Sequence, residues 1–201
     1  MREITYVSAI VEAAAEEMER DENIIIMGQG VETGGSFKAS AGLLERFGPE
    51  RVRDTPISED SVVGCAVGAA ITGMRPIVEV LFCDFTLRAM DQIANQAAKY
   101  LYMTGGLMSV PMVIRTSTGI GASRAAQHSQ SLESIFQHFP GLKIAVPSTP
   151  RDAKGLLKAA VRDDDPVIFF ESFALYGTRG PVPEEDYVIP MGKADVKKKG
   201  T

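Results

Sequence analysis

Asp54-Thr55-Pro56-Ile57-Ser58-Glu59, followed by the small-residue run Gly64-Cys65-Ala66-Val67-Gly68-Ala69-Ala70, reads as a strand end, a tight turn and an apolar helix. Pro56 fixes the entry to the turn, and Ser58 or Asp60 is placed to cap the helix. A lone acid at a helix start ordinarily serves the free backbone N–H groups and the helix dipole. With two other capping residues at hand, Glu59 is free to point into a crevice. This strand–turn–helix unit sets the pattern for the rest of the chain.

Working outward, helix and strand signals alternate. Residues 6–20 predict a helix with Ile10, Val11, Ala14 and Met18 on one face. Residues 23–27 predict a buried strand, followed by a glycine-rich loop over 28–35, a helix near 39–47 and a strand at 51–53. A helix over 61–72 ends at Gly73. The β-branched residues Ile77, Val78 and Val80 mark a strand over 76–82. A long helix is expected at 87–102, stopped by Gly105-Gly106, then a strand at 110–115. After the aperiodic polar stretch 116–130 come a helix at 132–138, a strand at 143–146, a helix at 150–162 and a strand at 167–171.

Strands separated by helices imply an α/β fold: three layers, a doubly wound and mainly parallel sheet, helices on both faces. Such sheets bind ligands outside the strand C-termini, so the loops after Met27, Arg53, Phe82 and Arg115 are the places to look. The domain is expected over 1–175. From 176 to 201, Pro181, Pro183, Pro190 and the final Lys197-Lys198-Lys199 suggest a linker or surface tail.

The 201 residues are 45% hydrophobic and 23% charged, with a net charge of −5, ordinary for a globular chain and contrary to a nucleic-acid binder. Cys65 and Cys83 lie in apolar contexts without a CxxC spacing and are expected to be buried free thiols in a reducing compartment. No signal-like N-terminus and no run of 18 apolar residues is present, so a soluble cytoplasmic protein without membrane contact is expected.

Four stretches at strand ends carry candidate chemistry. The 28–35 loop does not fit the GxGxxG spacing and reads as a flexible wall of a site. Glu59 is the second. In the third, Glu79-Val80-Leu81-Phe82-Cys83-Asp84-Phe85, alternation would place Phe82 and Phe85 on opposite faces. One of the two rings then lines the crevice, where it could stack on a planar heterocycle. The fourth is Gln127-His128-Ser129-Gln130. No packing demand explains His128 there, which makes it an acid–base or substrate-binding candidate. His138 follows an amphipathic turn and reads as structural. Ser129 lacks a nucleophile elbow, which argues against a serine hydrolase.

These stretches, with Gly73-Met74-Arg75-Pro76-Ile77-Val78-Glu79, Asp91-Gln92-Ile93, Gln127–Glu133, Pro140-Gly141-Leu142-Lys143 and Pro147-Ser148-Thr149-Pro150, run along nearly the whole chain. Together they resemble the pyrimidine-binding domain of the β subunit of thiamine-diphosphate-dependent 2-oxoacid or acetoin dehydrogenases, in the transketolase-like superfamily. The resemblance implies that Glu59 hydrogen-bonds the coenzyme's aminopyrimidine and favours the imino tautomer, which takes the acidic thiazolium proton. It implies that Phe85 packs on the pyrimidine, that Ile57 lines the same pocket, and that His128 faces the thiazolium and the incoming lipoyl group. It further places a structural potassium ion at Met112, Ala160, Asp163 and Asp165.

The family's diphosphate motif and Mg2+ belong to an α subunit, so the implied assembly is an α2β2 heterotetramer serving a lipoyl acyltransferase component. Pyruvate, a branched-chain 2-oxoacid and acetoin all remain open as substrates. Two departures stand out. Gln29-Gly30 replaces residues that are commonly acidic, with Glu32 as a possible substitute, and the chain stops where the family's second domain would begin. Two alternatives follow: a truncated, non-catalytic partner-binding protein, or half of a split transketolase-like enzyme.

Overall fold

The computed structural model describes residues 1–119, 121, 123–193, 196, 198 and 200. Its centre is a six-stranded sheet of β2 (Ile24–Gly28), β3 (Val52–Asp54), β4 (Arg75–Phe82), β5 (Val113–Thr118), β6 (Lys143–Ala145) and β7 (Val167–Ser172). The order is β3-β2-β4-β5-β7-β6 and every pairing is parallel. The central strands are near-continuous apolar runs because helices cover both faces. On one face Ile24, Ile26, Ile77, Val113, Val167 and Phe169 share a core with α1 (Tyr6–Arg20) and α6 (Pro150–Arg162). On the other, Val78, Val80, Ile114, Ile168 and Phe170 share one with α3 (Glu59–Ile71) and residues 83–97.

Local chemistry explains where the two long helices begin. Thr5 Oγ1 accepts a bond from Ser8 N at 3.1 Å, and Thr149 Oγ1 accepts one from Asp152 N at 3.1 Å, with Pro150 in the first turn of α6. The two helices are then riveted together: Lys154 Nζ reaches Glu16 at 2.6 Å, and Arg162 reaches the fully buried Glu17 at 2.7 Å.

The chain leaves β2 towards β3 on one side, and after α3 returns to β4 on the other side of β2. Connections therefore part in opposite directions between β2 and β4, and a crevice opens beyond Gly28 and Phe82. This switch point positions the candidate site.

Several expectations change in the folded chain. The helix expected over 87–102 is broken into a 3-10 segment (Cys83–Ala89), a π-helical turn (Asp91–Ala97) and the single-turn α4 (Tyr100–Met103). Thr86 Oγ1 donates to Cys83 O at 2.5 Å and tightens the first of these. The helices α2 (Leu43–Phe47) and α5 (Glu133–Phe136) are shorter than their patterns suggest.

The segment read as a linker or tail is packed for part of its length. β8 (Arg179–Val182) pairs antiparallel with β1 (Arg2–Thr5) in a separate two-stranded sheet. Beyond it, Ile189 N donates to Gly155 O at 3.1 Å and Tyr187 Oη to Arg151 O at 2.8 Å. Cys83 is buried as expected, whereas Cys65 is exposed, on the solvent side of α3.

Candidate active site

Glu59 is the first residue of α3. Thr55 N donates to Gly28 O at 3.1 Å and pins the preceding turn to the end of β2. Ser58 occupies the cap position, but its hydroxyl donates to Ser61 Oγ at 2.9 Å and accepts nothing from the helix backbone. The Glu59 side chain is 15% exposed, and Arg88 Nε stands 3.6 Å from its Oε2. Helix N-terminus and guanidinium both place positive charge beside this carboxylate. Gln29, Thr55, Ile57, Glu59, Val80 and Leu81 line a cavity of about 20 Å³, room for roughly one water. The Thr55 hydroxyl, buried at this wall, has no hydrogen-bond partner among the described residues. Ile57 is 70% exposed and forms an open apolar lip.

The second half of the site is aromatic. The His128 ring lies 4.9 Å from Phe82 and 5.1 Å from Phe85, both edge-on, and the two phenyl rings are 6.1 Å apart. Phe82 and Phe85 therefore share one cluster. Alternation failed to foresee this because the strand ends at Phe82 and the 3-10 segment turns Phe85 back. That segment joins the two halves: Arg88 touches Glu59, and Phe85 touches His128.

The histidine loop is held tightly. Gly119 N and the Cys83 thiol donate to Gln130 O at 3.1 and 3.2 Å, and Gln130 Nε2 donates to Asp84 Oδ1 at 2.8 Å. Burial, reinforced by the Asp84 charge, pushes the Cys83 thiol up to about 12, so it stays protonated. His138, the other histidine, is exposed and outside this cluster.

A buried charge cluster adjoins this site through Glu79, which also lines the Glu59 cavity. Arg115 Nε and Nη2 donate to Glu171 Oε1 and Oε2 at 2.6 and 3.2 Å, Tyr176 Oη donates to Glu171 Oε2 at 2.6 Å, and Arg115 Nη1 stands 3.6 Å from Glu79 Oε2. One guanidinium serves two carboxylates, and Glu79 Oε2 has no hydrogen bond among the described residues. Burial pushes Glu79 up to about 7; Arg115 pulls it back and Glu171 raises it further. Burial and the Glu171 charge likewise hold the Tyr176 phenol well above its ordinary range.

Glu79 shares its sheet face with Ile77, opposite Val78 and Val80, which pack towards α3. Its carboxylate thus lies under the 28–41 loop, where a Cβ on Gly35 (φ +70°) would stand 2.8 Å from Glu79 Oε1. Sequence reasoning passed over this cluster, although charged residues inside apolar strand runs were its signal.

The four positions assigned to potassium gather at the opposite, N-terminal edge of the sheet. Met112 O accepts from Val167 N at 2.9 Å, Ala160 O from Asp163 N at 3.3 Å, and Asp163 O from Arg75 Nη2 at 2.6 Å. Lys143 Nζ neutralises Asp163 and Asp165 at 2.8 and 3.0 Å. A cation there would find main-chain carbonyls, with the carboxylates already paired. Among the described residues no group of three or more His, Cys, Asp or Glu side chains could hold a metal ion. At the site wall Gln29 stands in the expected acidic position, and Glu32 accepts from Asp54 N at 3.3 Å.

A parallel α/β domain with an acid in the first helical turn at its switch point agrees with the resemblance read from the sequence. Residues 2–178 match transketolase, pyrimidine binding domain, and the chain belongs to that family. It is 53% identical to the 2-oxoisovalerate dehydrogenase subunit beta of Bacillus subtilis (strain 168), over 100% of this chain and 62% of that one. It is 48% identical to the acetoin:2,6-dichlorophenolindophenol oxidoreductase subunit beta of the same organism, over 99% of this chain and 62% of the relative. A solved structure described as a split gene transketolase, inactive beta4 tetramer, superposes with a TM-score of 0.75 at 22% identity, covering 98% of this chain and 60% of that one. This last likeness bears on the fold alone. The chain spans 62% of the length of both relatives. No helix among the described residues is long and apolar enough to cross a membrane.

Proposed function

We propose that this chain supplies the pyrimidine-activating half of a thiamine diphosphate site in the β subunit of a 2-oxoacid or acetoin dehydrogenase. The observation that carries the reading is the placement of Glu59: a largely buried carboxylate at the β2/β4 switch point, joined through residues 83–89 to the Phe85–His128 pair. Thiamine diphosphate, when bound here, would supply an acidic thiazolium carbon that, once deprotonated, is a nucleophile for a 2-oxo group and an electron sink for decarboxylation. Glu59 holds a proton at the ring nitrogen of the aminopyrimidine. General acid–base help of this kind is worth roughly 10²–10⁴-fold. Phe85 packs on the pyrimidine, Ile57 closes its edge, and His128 serves the acyl acceptor from the aromatic crevice.

The diphosphate and its Mg2+ are assigned to an α subunit, in an α2β2 assembly that passes acyl groups to a lipoyl acyltransferase. This assignment rests on the naming of the relatives as beta subunits. The complex is placed in the cytoplasm, consistent with two free cysteines. Potassium, in this reading, is held by the carbonyls of Met112, Ala160, Asp163 and Asp165.

The test is Glu59→Gln in the chain co-assembled with an α-type partner. Coenzyme-dependent decarboxylation should fall at least about 100-fold, with the unfolding midpoint unchanged. Near-normal turnover of the assembled variant would overturn the assignment.

A further inference from the structure

We propose that Asp84 is a positioning residue for His128, acting through a clasp with Gln130 that holds residues 123–130 against the aromatic crevice. The proposal rests on the role given to His128 above. Asp84 is only 7% exposed and forms no salt bridge among the described residues. Its carboxylate oxygens face uncharged donors: Gln130 Nε2 at 2.8 Å and, more distantly, the Cys83 thiol at 3.9 Å. Burying an unpaired carboxylate is costly. What it provides here is a charge-assisted bond to Gln130, stronger than a neutral acceptor would make.

Gln130 is the closing point of the segment. Its carbonyl takes the bonds from Gly119 N and Cys83 Sγ, so side chain and backbone fasten the loop at both ends. Within the loop, Ser123 (φ +49°) and Ala125 (φ +66°) adopt the left-handed conformation that side chains disfavour. Residues 123–130 keep this shape through two internal bonds, Arg124 N to Ser129 Oγ at 2.9 Å and His128 N to Ala125 O at 3.4 Å, and through contacts to other elements: the clasp, the His128 ring edge-on to Phe82 and Phe85, and Arg124 lying 4.5 Å over the Phe173 ring. His128 is two residues from the clasp, so releasing Gln130 leaves the ring held by its aromatic contacts alone and loosens its position. A displacement of about 1 Å is enough to disturb a reaction that depends on orientation.

Cys83 offers a native reporter, because its thiol is buried against Gln130 O. The experiment uses the full chain in a Cys65→Ser background, leaving Cys83 as the single thiol. Labelling with a disulfide reagent and amide exchange are followed in Asp84→Ala, Gln130→Ala, Gln130→Glu and the swap Asp84→Asn/Gln130→Glu, which restores a donor facing an acceptor. Both alanine variants should raise the Cys83 labelling rate about tenfold or more and speed exchange over 123–130, with β5 unaffected. The swap should return both readouts towards the parent. Unchanged labelling in the alanine variants, acceleration spread equally through β5, or a swap no better than Gln130→Glu alone would each overturn the proposal. In the assembled enzyme Asp84→Ala should lower kcat and the swap should restore it. Since labelling and exchange need no coenzyme, they stand or fall separately from the Glu59→Gln test of the function itself.

Discussion

Glu79 gives a prediction whose size follows from its surroundings. It faces Arg115 at 3.6 Å, with Glu171 on the far side of that guanidinium and the 28–41 loop above it. Burial moves it from 4.5 to about 7. Below pH 4.5 the group is protonated in both the folded and unfolded chain and exacts no penalty. As pH rises from there to about 7, the unfolded chain loses its proton first, so the folded state binds more protons and stability falls with pH. Above 7 both forms are ionised and the loss is complete. At about 1.4 kcal/mol per pH unit the full penalty is about 3 kcal/mol, most of it falling between pH 5 and 8.

Glu79→Gln removes the titration. Its stability relative to the parent should therefore improve by about 2–3 kcal/mol between pH 5 and pH 8. An amide facing Arg115 lowers the absolute stability of the variant, but that offset does not depend on pH. Urea unfolding of both chains at pH 5, 6, 7 and 8 supplies the comparison. A difference that stays flat across this range, or that moves against the variant as pH rises, would refute the placement of an up-shifted carboxylate beneath the loop.

Other outcomes follow from the same geometry. Arg115→Met leaves Glu79 and Glu171 buried without their guanidinium and should cost about 3–5 kcal/mol in denaturant unfolding at pH 8. The cost should shrink at pH 5, as Glu79 takes up its proton. Gly119→Ala would place a Cβ 2.3 Å from His128 O, so it should displace the histidine loop and lower kcat about tenfold or more. A variant that folds with full activity would contradict the close approach. Arg88→Glu puts like charge beside Glu59; because Arg88 is 74% exposed, stability should change by less than about 0.5 kcal/mol. Coenzyme-dependent activity of the assembled protein should fall, and an unaltered rate would remove Arg88 from the site.

The alternating layers were legible because each rests on local periodicity. Tyr6–Arg20 and Pro150–Arg162 match their expected bounds, since a threonine cap starts each helix and an amphipathic face runs through it. Among the candidate residues, His128 stood out as a polar group in a loop where no packing demand explains it, and Glu59 as an acid left spare by two other capping residues, whereas Phe85 was separated from Phe82 only by the family resemblance. Beyond that, side-chain bonds inside 83–97 override helix propensity, and β1 finds β8 at the far end of the chain. Neither event leaves a mark in a short window of sequence.

By itself, then, the sequence determined the α/β class, the strand-end positions of the candidate groups and the family to which they point. The tertiary structure decided which of those groups meet. It set Phe82 beside Phe85 and His128, linked them to Glu59 through Arg88, placed Asp84 under Gln130, and made Glu79 and Glu171 share one buried arginine. The physical reason is that periodicity specifies which face of an element is buried, whereas the partner of a buried charge or ring is chosen by strand order and loop closure between residues far apart in the chain.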